Sequence, residues 1–303
     1  MSRRPSWSRK LAWRLEAFAL DVFTFLVRLA PVDAVSAAGG RLMRALGPLT
    51  PVQHTVLRNL QIAFPELTDA EGRKLAADQW ESVGRVFAEF PVIDRIFADP
   101  DRIRVVNGER LEQIARDGEP AVFISGHLSN WELMPAAIVR FGVDCLMTYR
   151  AANNPYVDAR IREGRARYGV KLFAPKGESA RDLLEALGRG QSVALMNDQK
   201  FNEGIAAPFF GEPAMTAPGP TRMALSRDAV LQPMSVRRLE GARFEVIVHD
   251  PIRPERTGDR AHDVEAGVRR INAWLESEVR ANPTEWFWVH RRWPAAVYKA
   301  ERS

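Results

Sequence analysis

Residues 121–132 read AVFISGHLSNWE, and the apolar stretch LMPAAIV follows directly. An uninterrupted apolar run of this length, closed by a glycine, is the pattern of a fully buried strand. The residues after it have helix composition, so the segment predicts strand, turn and helix, with His127 in the turn and Glu132 in the first helical turn. The same alternation recurs outward from it. IRVV (103–106), VDCLMTY (143–149), GVKLF (169–173), SVALM (192–196) and FEVIV (244–248) are short apolar runs separated by helix-like stretches. Those stretches carry their own punctuation: Asn154 before Pro155 as cap and first turn, and Gly188 and Gly190 closing ESARDLLEAL. Strands alternating with helices predict an α/β fold with a mostly parallel central sheet and flanking helices, its function gathered at the carboxyl ends of the strands.

Residues 32–100 show no alternating pattern and are punctuated at Gly47-Pro48, Pro65 and Pro91, which predicts helices. The expected organisation is therefore a helical N-terminal region over 1–100 and an α/β catalytic domain over 101–303. Within the first region, residues 11–30 (LAWRLEAFALDVFTFLVRLA) hold Arg14, Glu16, Asp21 and Arg28, too many charges for a clean membrane span. At helical spacing Lys10, Arg14, Asp21, Thr24 and Arg28 form one narrow stripe, and apolar side chains cover most of the rest. Such a helix packs on the protein's own core or lies in a bilayer interface. Trp7 and Trp13 beside basic residues favour the interface.

The formal charge is +5, from 43 basic and 38 acidic residues, so the location of positive charge matters more than its sum. Arg3, Arg4, Arg9, Lys10 and Arg14 open the chain without an acid, and RIREGRAR (160–167) forms a second cluster. Both read as solvated faces or as contacts for anionic headgroups, phosphates or an acidic carrier protein. No nucleic-acid partner is expected. The single cysteine, Cys145, excludes an internal disulfide framework and a thiolate metal cluster. No secretory signal pattern is evident.

A carboxylate on an imidazole fixes its tautomer and stabilises the imidazolium formed as it takes a proton from a hydroxyl. His127 and Glu132 are candidates for such a pair, although an isolated His-x4-Glu is more often a capping histidine with a first-turn glutamate. His54, His249, His262 and His290 are scattered, and no metal or cofactor is expected.

Further matches run almost end to end: Arg58-Asn59-Leu60, Phe64-Pro65-Glu66, Gly126-His127, Asn130-Trp131-Glu132, Tyr149-Arg150, Asn154-Pro155 and Gly164-Arg165, then Asp198-Gln199, Pro208-Phe209-Phe210-Gly211 and PTEWFWVHRRW (283–293). On these the chain resembles the lipid A biosynthesis lauroyl/myristoyl acyltransferases of the Gram-negative inner membrane. The resemblance implies transfer of an acyl chain from acyl-carrier protein to a hydroxyl of a lipid A precursor at the cytoplasmic face, with an anionic membrane surface as a further partner. It implies a His127/Glu132 dyad, with Asn130, Arg165 and Asp198 binding substrate or supporting the site. Arg165 is read as a contact for phosphate or carrier, and Trp286, Trp288 and Trp293 as core. Leu128-Ser129 stand where Phe-Gly is commonest in these enzymes. The glycerolipid acyltransferases share a His-x4-acid motif, but their Phe-Pro-Glu-Gly-Thr-Arg motif should follow the histidine, whereas Phe64-Pro65-Glu66 precedes it. Readings of another class are a metal-dependent hydrolase using His127, Glu132 and Asp198, and a non-catalytic membrane-surface protein.

Overall fold

A computed structural model describes residues 6–171, 173–175 and 180–298. Arg3 and Arg4 of the basic start, Leu172 of the expected strand GVKLF, and Glu178 and Ser179 of the expected helix ESARDLLEAL lie outside the described residues. The chain opens in helices, as the missing strand pattern implied: α1 (Trp7–Leu29), α2 (Val32–Leu46), α3 (Gln53–Ala63), α4 (Asp69–Glu89) and α5 (Ile93–Ala98). Thr68 starts α4 with a reciprocal capping box, its hydroxyl accepting from the Glu71 amide while the Glu71 carboxylate accepts from the Thr68 amide.

Strands and helices then alternate through β1 (Ile103–Val106), α6 (Glu109–Asp117), β2 (Val122–Ser125), α7 (Leu133–Arg140), β3 (Cys145–Tyr149), α8 (Pro155–Ala166), β4 (Phe173–Pro175), α9 (Ala180–Gly188) and β5 (Ser192–Met196). A hairpin of β6 (Ile205–Phe209) and β7 (Glu212–Thr216), α10 (Gly219–Arg227), β8 (Leu231–Arg238), β9 (Phe244–Val248) and α11 (Arg260–Ala281) follow. The main sheet has the order β1-β9-β8-β2-β5-β3-β4 and is parallel at every described pairing except β8 with β9. The β6/β7 hairpin stands apart from it. The α/β class and the mostly parallel sheet are as expected.

Two features depart from the sequence pattern. Gly169, Val170 and Lys171 of the run GVKLF lie outside any strand, and β4 is described over Phe173–Pro175. The central strand β8 carries Pro233, which removes a ladder donor and disguises it. It is accommodated where pairing changes hands: Leu231–Pro233 align with β2, and Met234–Arg238 with β9.

The polar stripe of α1 faces inward. Asp21 pairs with Arg160 and Arg28 with Asp94, while Glu16 and the Trp13 carbonyl accept from Asn154 Nδ2 at 2.9 and 2.8 Å. Asn154 also caps α8, accepting from the Tyr156 amide at 2.9 Å. The apolar side of α1 is left outside: Phe18, Phe25 and Leu29 are 65%, 63% and 70% exposed, with Leu15 and Leu26 beside them. Among the described residues no helix is long and apolar enough to cross a membrane.

Candidate active site

His127 sits in the turn between β2 and α7, and Asp198 two residues beyond the end of β5, the strand hydrogen-bonded to β2. Parallel pairing of these strands brings both turns to the same sheet edge. Asp198 Oδ1 lies 2.8 Å from His127 Nδ1, and Oδ2 accepts from the His127 amide at 2.7 Å and from Trp286 Nε1 at 3.0 Å. Gly126 permits this approach, because a Cβ there would stand 2.7 Å from Leu275 Cδ1 and 3.2 Å from Asp198 Cβ. Burial would raise the Asp198 carboxyl, but the charge of His127 and the hydrogen bonds from His127 and Trp286 outweigh it and hold the group well below the usual carboxylate range. A carboxylate only accepts, so in the neutral ring the proton sits on Nδ1 and Nε2 keeps the lone pair.

The carboxylate on the imidazole is thus Asp198, and not Glu132 as the His-x4-Glu spacing suggested. Glu132 stands at the N-cap position of α7 without a side-chain cap bond; its carboxylate accepts from Arg165 Nε at 2.9 Å and Tyr168 Oη at 3.0 Å, and makes a second contact with Arg165 Nη2. Arg165 is correspondingly buried and ion-paired, and lies over the Tyr149 and Phe173 rings. Desolvation would lower its pKa, but the Glu132 contacts raise it further. Tyr168 is pushed far up by burial and then by the Glu132 charge. Arg165, expected as a contact for phosphate or carrier, thus spends Nε and Nη2 on Glu132 while lining the cavity.

Asn130 points away from His127 into a fully buried network. Its Nδ2 donates to Glu89 Oε2 at 2.8 Å, and Glu89 also accepts from Ser36 Oγ at 2.6 Å and from both terminal nitrogens of Arg238. Helices α2 and α4, strand β8 and the histidine turn are joined there. Ser129 has φ +49°, in the left-handed region that favours glycine, which accounts physically for the glycine commonest at this position in the resembling enzymes.

Sequence reasoning missed His290, Glu89 and Trp286. The His290 and His127 ring centroids are 6.2 Å apart, and Gln199 Nε2 lies 3.2 Å from His290 Nε2. Asn59 of the Arg58-Asn59-Leu60 match donates to the Trp288 and His290 carbonyls at 2.6 and 2.7 Å, so that motif positions His290. Phe64, Phe209 and Phe210 pack with the buried Trp286, Trp288 and Trp293 behind the site, as expected of core tryptophans. Ordered motifs scattered from Arg58 to Trp293 carry the signal, but nothing in them tells which touch.

His127, Glu132, Arg165, Gln199 and His290 open on a cavity of about 340 Å³ that continues between apolar walls, among them Phe123, Ile138 and four methionines, 134, 147, 196 and 234. Cys145 is buried outside it, its thiol pushed well up by burial and next by Asp144. Among the described residues no group of three His, Cys, Asp or Glu side chains is set to hold a metal ion.

An imidazole base at the mouth of an apolar cavity suits proton removal from a hydroxyl beside a long apolar substituent. The family model of the bacterial lipid A biosynthesis acyltransferases matches residues 6–295. The chain belongs to this family. It is 25% identical over 248 residues to a lipid A biosynthesis lauroyltransferase of Escherichia coli K12, covering 78% of this chain and 77% of the relative. It is 24% identical over 284 residues to the lipid A biosynthesis palmitoleoyltransferase of the same organism, covering 91% and 89%. A phosphatidylinositol mannoside acyltransferase of Mycobacterium tuberculosis is 25% identical over 232 residues, covering 74% and 71%. The protein is an acyltransferase of lipid A-like acceptors.

Proposed function

We propose that this acyltransferase moves a fatty acyl chain from the thioester of acyl-carrier protein to a hydroxyl of a lipid A precursor, at the cytoplasmic face of the inner membrane. The observation that carries the chemistry is the His127–Asp198 hydrogen bond at the mouth of the apolar cavity. His127 Nε2 takes the acceptor's hydroxyl proton as the oxygen attacks the thioester carbonyl. The C–S bond then breaks, and the imidazolium returns the proton to the departing thiolate. Asp198 keeps the tautomer and stabilises the imidazolium. Glu132 and Arg165 form the polar wall beside His127, and Asn130 holds the turn through Glu89. The acyl chain lies along the methionine-lined walls, whose unbranched side chains adapt to a flexible polymethylene. Mass spectrometry of lipids from cells with and without the protein tests the reading: loss of an acyl-sized mass from the lipid A precursor is expected, and an unchanged lipid A profile would refute it.

Transfer is direct in this scheme. Cys145 and Ser129 are the rival nucleophiles, but both are buried and neither lines the cavity. Cys145→Ser and Ser129→Ala are therefore expected to retain activity within about tenfold, and the intact protein given donor alone to show no acyl adduct. A stoichiometric adduct discharged by acceptor, lost in one of these variants, would establish a covalent route instead.

The exposed apolar side of α1 supports residence in the bilayer interface, with the ion pairs to α8 and α5 fixing the helix against the protein. Burying one leucine or phenylalanine side chain is worth about 1.5–3 kcal/mol. Replacing Phe18, Phe25 and Leu29 together by glutamate is accordingly expected to lower partitioning onto anionic vesicles at least about a thousandfold. Co-sedimentation measures it. Undiminished pelleting of the folded triple variant would move the membrane contact to another surface.

A further inference from the structure

Each arginine of the positive cluster at 160–167 has a carboxylate partner within the protein, three of the four pairs at the surface and one buried. Arg160 pairs with Asp21, Arg162 with Asp158, Arg165 with Glu132 and Arg167 with Glu163. The imidazoles at the cavity are engaged as well, His127 by Asp198 and His290 by Gln199. Arg150 differs from all of these. It follows β3 directly, is exposed and lines the cavity, and among the described residues it has no carboxylate within ion-pair distance and no ring beneath its guanidinium. A cation that faces a substrate cavity without an internal counter-charge is placed to receive the charge of a ligand.

The sheet sets what that ligand group is. Strands β2, β5 and β3 are successive neighbours, and their carboxyl ends deliver His127, then Asp198 and Gln199, then Arg150. Two strand spacings separate the first backbone from the last by roughly 10 Å. Arg150 therefore enters the cavity from a different strand end than the base, beside the reacting centre. A guanidinium at such a position matches phosphate, whose oxygens accept its parallel N–H groups in pairs.

We propose that Arg150 binds a phosphate group of the substrate, carried by the acceptor glycolipid or by the prosthetic arm of the thioester donor. The proposal rests on the acyl-transfer reading above for its setting, and its test separates the two. Wild type, Arg150→Ala and Arg150→Lys are assayed with a phosphorylated lipid A precursor and its dephosphorylated form, and with acyl-carrier-protein thioester and the same acyl group on N-acetylcysteamine, which lacks phosphate. Arg150→Ala is expected to raise KM about 10- to 100-fold for the phosphate-bearing partner, with a smaller effect on kcat and partial recovery in the lysine variant. The factor separating it from wild type shrinks when that partner's phosphate is removed. Shrinkage on the acceptor axis assigns the phosphate to the acceptor, and on the donor axis to the donor. An equal loss with every substrate, or no loss, overturns the proposal. Calorimetry with dodecyl phosphate needs no turnover: at least tenfold weaker binding to Arg150→Ala, with matched unfolding midpoints, upholds the phosphate site even if transfer fails. Equal affinity in the two proteins removes it.

Discussion

Asp198→Asn is expected to lower kcat for acyl transfer about 10³- to 10⁴-fold while leaving the protein folded, the range seen when the acid of a catalytic triad becomes an amide. The reason lies in which donors each oxygen serves. Oδ2 receives the His127 amide at 2.7 Å and Trp286 Nε1 at 3.0 Å, with His127 Nδ1 at a longer 3.1 Å, whereas Oδ1 faces only His127 Nδ1, at 2.8 Å. An asparagine keeps its one carbonyl oxygen where two donors point and turns its NH₂ toward Nδ1. That nitrogen must then accept, so the imidazole proton moves to Nε2 and the lone pair facing the cavity is lost. His127→Ala removes the base altogether and should cost at least about 100-fold. The check is kcat at matched folding, together with the His127 tautomer from nitrogen NMR shifts. An asparagine variant within tenfold of wild type, or one still protonated at Nδ1, would return the role of orienting acid to another group, with Glu132 first in line.

The second large effect concerns Glu132 and Arg165. Removing one member of a buried ion pair leaves the other charge without compensation, which costs about 3–5 kcal/mol. The side chains of Glu132 and Arg165 are 8% and 15% exposed, so the pair falls under this rule. Glu132→Ala and Arg165→Ala are each expected to lower unfolding free energy by about that amount, and the double variant by less than the sum, because neither charge is then stranded. Denaturant unfolding of the four proteins measures the coupling. Activity falls in the single variants as the cavity wall loosens. If Glu132→Ala unfolds like wild type yet has lost its turnover, Glu132 acts on the reacting atoms and the dyad expected from the His-x4-Glu spacing regains its place.

Much of the fold was legible in the chain because its signals are local. The run AVFIS is buried on both faces of a sheet and reads as a continuous apolar string, IRVV, SVALM and FEVIV read as short, mostly apolar runs, and the cap at Asn154 and the left-handed Gly190 after α9 are properties of a few adjacent residues. Strand β8 was hidden for a physical reason, since its proline is harmless only where pairing passes from β2 to β9, a fact of register and not of composition.

The site divides along the same line. The sequence by itself determined that a histidine would stand in a turn after a buried strand, that Gly126, Asn130, Glu132, Arg165 and Asp198 belong to its motifs, and that the N-terminal helix is amphipathic. Only the tertiary structure decided who partners whom. Asp198 lies 71 residues from His127 and reaches it because β2 and β5 are adjacent and parallel, whereas Glu132, five residues away, is drawn by Arg165 and Tyr168 from α8 and the turn after it. The orientation of α1 was also a tertiary outcome. Amphipathicity states that a helix has two faces, but the carboxylates and arginines of α5 and α8 determined that the polar one turns inward and the apolar one is left to the surroundings.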